Sequence, residues 1–166
     1  MNKQYKQSLT QPTRGFTIIE VILVLAIAGL IFLMVFIALP ALQRGQRDAQ
    51  RKQDLSRVSV QMTNFLSSTR GSVPSSADGL GIFVRGFLKG TDSVTAGDDY
   101  KDPNGNNYAV RYRTMPTEAG QIGYYSKSNC DVNTDEGVVS SNAARDFALT
   151  IKLENQNAPY CIDNKS

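Results

Sequence analysis

Residues 21–39, VILVLAIAGLIFLMVFIAL, are nineteen consecutive residues without a charge or a strongly polar group. Phe16–Ile19 and Ala41-Leu42 extend the run, broken only by Thr17, Glu20 and Pro40. At about 1.5 Å per residue, some 20 helical residues cross a hydrocarbon layer about 30 Å thick. The run therefore predicts a single membrane-spanning helix. Ala26-Ile27-Ala28 mimics the cleavage site of a secretory signal, but the apolar stretch continues well beyond it, longer than the usual signal core. The remaining composition narrows the chemistry. The chain of 166 residues has no histidine and two cysteines, which excludes His-based catalytic pairs, His-ligated zinc and four-cysteine metal sites. No nucleophile–base arrangement, phosphate loop or nucleic-acid motif stands out, so an enzyme is not expected. Tyr124-Tyr125 and scattered arginines could stack on DNA, but strand aromatics usually pack instead.

Glu20 is the anomaly. A carboxylate inside a spanning helix requires a partner or marks a site. Before it lies a hydrophilic leader, MNKQYKQSLTQPTRG, with three bases and no acid, ending in Arg14-Gly15. Gly15, Phe16 and Glu20, followed by an apolar helix carrying Gly29, resemble the start of the type IV pilin superfamily, which includes pilins, type II secretion pseudopilins and competence pilins. The resemblance implies cleavage after Gly15 by a prepilin peptidase and N-methylation at Phe16. It implies a homo-oligomeric helical filament, raised by an inner-membrane assembly platform with its ATPase. Glu20 would neutralise the Phe16 amine of a neighbouring subunit, the opposite charge that a buried carboxylate lacks. The expected function is a structural pilus subunit supporting adhesion, twitching or DNA uptake, with a secretion pseudopilin or minor pilin as the alternative. The precursor would sit in lipid as a single-pass protein of the cytoplasmic membrane and the product in an extracellular filament. Pro40 falls 25 residues after the cut, where many pilins have a proline about 22 after it. Gly29 and Pro40 are the expected kink positions.

Charge does not agree with this orientation. Lys3, Lys6 and Arg14 precede the span, whereas Arg44, Arg47, Arg51, Lys52 and Arg57 follow it. The positive-inside count alone favours the reverse topology, and the leader motif is given precedence. Beyond Pro40, Leu55, Val58, Met62, Phe65 and Leu66 share one helical face, and Gly71 with Pro74 supplies the stop. Arg44, Arg47 and Arg51 lie on the same face and are expected to stay uncovered, as contacts for neighbouring subunits. Ion pairs are expected for Arg44–Asp48 and Asp54–Arg57.

The expected fold is α+β: a long N-terminal helix, membrane-spanning and then amphipathic, packed on a small antiparallel sheet. The divisions are a leader (1–15), an apolar assembly helix (16–42), a stem helix (43–71) and a β-rich head (72–166). Residues 80–90, LGIFVRGFLKG, fit neither helix nor strand clearly. Residues 108–113 and 147–154 alternate as half-buried strands, and Pro159–Asp163 reads as an edge strand. DPNGNNY (102–108) is turn chemistry and resembles a turn of pseudopilins and several pilins. Cys130 and Cys161 fall outside the expected membrane, where a bridge can form, and pilins often close a C-terminal region (here 130–161) in this way; two buried thiols are the alternative. Asp131, Asn133 and Asp135 have the alternation of calcium ligands, but Glu136 and Asn142 break the EF-hand template, so the segment reads as a turn and no cofactor is expected. The charge splits into +3 for the leader, +3 for residues 16–71 and −3 for the head.

Overall fold

A computed structural model describes residues 15–165, so the leader up to Arg14 lies outside the described residues. The chain divides into two units, 1–40 and 41–166. Helix α1, Ile18–Ser68, is 51 residues long and begins in the first unit. In that unit no described residue is buried, and Phe16, Ile18 and Ile19 are among the most exposed apolar side chains. Such an all-round apolar surface has no partner within its own unit. Helical backbone runs through both Gly29 and Pro40, so no melted stretch occurs at the expected kink positions. Proline removes one ladder donor, and the bonds on either side can keep the helix.

In the second unit, α1 buries Leu55, Val58, Met62 and Phe65, the stripe its periodicity predicts. It closes at Gly71, whose N–H donates to Leu66 O at 2.7 Å with φ of 83°. Glycine reaches this left-handed geometry without a Cβ clash. The ambiguous segment is helix α2, Ala77–Phe87. Ser76 caps it, its Oγ accepting from Gly79 N, with Asp78 in the first turn and Arg85 in the last. Leu80, Phe83 and Val84 are its buried face, and Phe65 meets Phe83 and Phe87 edge-on at 5.7 and 5.4 Å.

The main sheet has strand order β1-β2-β5-β6, with β1 Ala109–Tyr112, β2 Gln121–Ser126, β5 Phe147–Ile151 and β6 Tyr160–Asp163. A separate hairpin pairs β3, Ser128–Cys130, with β4, Val138–Ser140. The fold is α+β, but the sheet is mixed: β1 and β2 run parallel, whereas β2–β5 and β5–β6 are antiparallel. The expectation of a purely antiparallel sheet fails because residues 113–120 carry the chain back to the start of β1 before β2 begins. Arg113, with φ of 48°, opens that return, and Gly120, whose carbonyl accepts from Ala109 N, closes it. The inner sheet face contributes Val110, Ile122, Tyr124, Leu149 and Ile151 to the same core as the α1 stripe. Contrary to the half-buried pattern expected of residues 147–154, Ala148 and Thr150 are also buried. Tyr125 folds across Gly123 beside Thr150 on that outer face, and β3 packs against β5 and β6. Cys130 and Cys161 form a disulfide joining the hairpin to the edge strand β6.

Candidate assembly segment and the ionic anchor of the head

The assembly segment begins with Gly15 and Phe16 outside the helix. Glu20 N donates to Thr17 Oγ1 at 3.3 Å, and Glu20 Oε2 accepts from Thr17 N and Thr17 Oγ1, both at 3.2 Å. This is a capping box: Thr-x-x-Glu satisfies helix-start donors in both directions. The T-I-I-E spacing of residues 17–20 carries that signal in the sequence itself. The arrangement holds the carboxylate in the first turn, where the positive end of the helix dipole favours it. It also sets the carboxylate beside Thr17 N, one residue after the Phe16 nitrogen.

Residues 11–36 match the family of the prokaryotic N-terminal methylation motif. The chain carries a type IV pilin-like prepilin N-terminus. The prepilin motif and α1, whose N-terminal part is long and apolar enough to cross a membrane, together point to a precursor in the inner membrane. The matched family is one of structural pilin-type proteins rather than enzymes, and its motif implies processing by a prepilin peptidase and assembly into pilus-type filaments. Comparison with curated proteins and with solved structures gives no match.

The head is fastened to the second-unit part of α1 by ion pairs. Arg51 has no exposed side-chain surface. Its Nε donates to Asp102 Oδ1 at 2.6 Å and its Nη2 to Asp102 Oδ2 at 3.1 Å, a fork-on-fork pair. Its Nη1 donates to Glu154 Oε1 at 2.8 Å and Asp48 Oδ1 at 3.2 Å. Arg47 forks onto Glu154 at 2.6 and 2.8 Å. Asp48 accepts in addition from the backbone N–H groups of Glu154 and Asn155. Asp54 accepts from Tyr108 Oη and pairs with Arg57 Nη1, both at 3.1 Å. Thus both ends of the DPNGNNY segment are tied to α1, Asp102 through Arg51 and Tyr108 through Asp54.

The electrostatics follow from these bonds. Arg47, with help from Arg51, pulls the Glu154 carboxyl down to about 2 against the opposing effect of burial. Asp102 raises the Arg51 guanidinium above its already high value. Burial, and then the Asp54 charge, pushes the Tyr108 phenol upward.

The stem arginines therefore differ from the expectation that they remain uncovered. Arg51 is enclosed and Arg47 is bound, while Arg44 alone of the three stays exposed without an ion pair among the described residues. The Arg44–Asp48 pair does not form, because Asp48 is taken by Arg51 and two backbone donors. The Asp54–Arg57 pair does form. Asp131 sits in its own turn, its Oδ1 accepting from Asn133 N and Nδ2 at 2.9 Å, and Asp135 is exposed. Among the described residues no three His, Cys, Asp or Glu side chains gather as metal ligands.

Proposed function

We propose that the chain is a structural subunit of a type IV pilus, cut after Gly15, methylated at Phe16 and assembled through its apolar helix. The observation that carries this reading is the helical segment 21–39, apolar on every side and without a buried residue in its own unit. Lipid covers such a surface before assembly, and the same helix of neighbouring subunits would cover it afterwards. Glu20, whose carboxylate caps the helix start with Thr17, would pair with the amine of a neighbouring Phe16 as the segment leaves lipid. The compact, disulfide-closed head then faces the outside of an extracellular filament. Adhesion and twitching are activities of such a filament, and the role calls for no cofactor.

A pseudopilin is the second reading, favoured by the DPNGNNY turn, whose Asp102 and Tyr108 hold the stem. Filament abundance separates the two, because a pseudopilin forms a short periplasmic structure. Mass spectrometry of the mature protein tests the common ground: it should find N-methylated Phe16. An intact Met1, or a cut after Ala28, would sink the proposal. Glu20→Ala should insert and be processed yet yield few sedimentable filaments. Normal filaments from that variant would remove the pairing role.

A further inference from the structure

Strand β3, the residue that precedes β5 and the residues that follow β6 bring an asparagine, an aspartate and a lysine together at one oxygen. Lys165 Nζ lies 2.6 Å from Asp146 Oδ2. The Asn129 amide, in the orientation that satisfies both of its polar atoms, donates from Nδ2 to that same oxygen at 2.9 Å. Its Oδ1 accepts from Lys165 Nζ at 3.3 Å. Ser141 Oγ also donates to Asp146 Oδ2.

The backbone around these three side chains is fixed from several directions. Asn129 is the middle residue of β3 and pairs with Val139 of β4. Asn164 Oδ1 accepts from Phe147 N at 3.2 Å, and Lys165 N donates to Asp163 Oδ1 at 3.0 Å, which holds the chain end against the start of β5. Cys130 N donates to Asp163 Oδ2 at 2.9 Å, and the disulfide joins Cys130 to Cys161 of β6. The Asp146 side chain is 6% exposed and that of Lys165 55%, so a buried carboxylate meets an amine with a way out to solvent.

We propose that Lys165 and Asn129 join in an intramolecular isopeptide bond, with Asp146 moving the protons. An ion pair needs only Lys165 and Asp146. The carboxamide that touches both adds an electrophilic carbon, Asn129 Cγ, beside the amine. Asp146 Oδ2 takes a proton from the Lys165 ammonium, and the freed electron pair on Nζ attacks Cγ. The Nζ–Cγ bond forms and the Cγ–Nδ2 bond breaks. Asp146, in contact with the leaving nitrogen, gives it the first proton and then relays the second amine proton to it, so ammonia departs as ammonium. Asp146 ends ionised, as it began, and nothing is oxidised or reduced. Amides resist amines in dilute solution, but well-oriented partners held in contact react as if at about 10⁵–10⁸ M. A positioned acid–base group contributes a further factor of about 10²–10⁴. The departing ammonium is diluted into solvent, which disfavours reversal. The product is a second covalent closure beside the disulfide, and a reductant does not open it.

Mass spectrometry of the full chain in neutral-detergent micelles, incubated until its mass is constant, tests the bond. The chain should be lighter by one ammonia. Mass alone does not decide, because Asn104-Gly105 can lose ammonia as a cyclic imide. The deciding readout is a tryptic digest after reduction and alkylation. Peptides 128–145 and 153–166 should stay joined, with Ser166 retained because trypsin does not cut after an acylated lysine. Lys165→Arg keeps a cation for Asp146 at an exposed position but presents a guanidinium that does not attack, and it should release the two peptides. Separate peptides from the wild-type chain, or joined peptides from Lys165→Arg, would overturn the proposal.

Discussion

Arg51→Met is the perturbation that most directly tests how the head is held. The wild-type guanidinium has no exposed surface and serves three carboxylates, of which Asp102 and Asp48 are themselves 1% and 9% exposed. Methionine keeps much of the side-chain length and removes the charge, leaving Asp102 with one remaining donor, Asn104 N at 3.0 Å. Asp48 fares better, because it retains the N–H groups of Glu154 and Asn155. Breaking one side of a buried pair destabilises by roughly 3–5 kcal/mol. Asp48's surviving donors place the expectation at the lower end, about 3 kcal/mol at neutral pH. In the variant the Asp102 carboxylate stays buried without the guanidinium that offset its charge, and that uncompensated charge is the source of the penalty. Asp102→Asn on the same background should recover most of it, since an amide stays neutral and still accepts from Asn104 N. Urea denaturation of the full chain in micelles, followed by tyrosine fluorescence, reads both quantities. A penalty below 1 kcal/mol, or no recovery on adding Asp102→Asn, would refute the reasoning.

Two further outcomes rest on named contacts. Glu154 has a folded pKa depressed to about 2 by Arg47 and Arg51; its contribution is complete above its unfolded value near 4.5 and is lost as the pH falls through 2. With a quarter of its side chain exposed, solvent screening trims that contribution to about 1–2 kcal/mol. Glu154→Gln should accordingly narrow the stability difference between pH 6 and pH 2.5 by that amount, and an unchanged acid limb would contradict the pairing. Gly123→Ala places a Cβ 2.5 Å from both Thr114 O and Thr150 Oγ1. The carbonyl is backbone and cannot turn aside, so overpacking should destabilise by about 1–3 kcal/mol. An unaltered denaturation midpoint would show that the β1–β2 return can shift.

The N-terminal segment was legible because its information is local: Gly15, Phe16, Glu20 and the apolar run lie within about 25 residues. The α1 stripe was legible from its periodicity, and the edge strand β6 from Pro159, which lacks a ladder donor. Helix α2 was missed although Leu80, Phe83, Val84 and Phe87 follow the helical period and Ser76 supplies a cap. Gly79, Gly81 and Gly86 obscured the pattern. Strand direction was not legible, because alternation identifies β1 and β2 without saying which way each runs. The burial of Arg51 is the instructive error. Arg51 lies on the same helical face as Leu55 and Met62, and a residue on the core-facing stripe faces the core. Sequence neighbours alone could not reveal Asp102, 51 residues away, as the charge that makes such burial tolerable.

That error bears on topology. The five bases after the span argue for the reverse orientation only as free charges, yet three of them, Arg47, Arg51 and Arg57, are bound to Asp48, Asp54, Asp102 and Glu154 once the head folds. Polar pairing here also gives the helix a boundary: were residues 43–54 apolar, the hydrophobic surface would run from Phe16 to Leu66 with no stop for lipid. Because those bases have a folding role, their count is a poor guide to which side the head occupies, and the disulfide is a better one. A head in the reducing cytoplasm would hold Cys130 and Cys161 as thiols, whereas a translocated head holds the bridge. Cells treated with a membrane-permeant maleimide should therefore leave both cysteines unlabelled until a reductant is added. Prompt labelling without reductant would place the head inside and overturn the leader-first orientation, whatever the N-terminal motif implies.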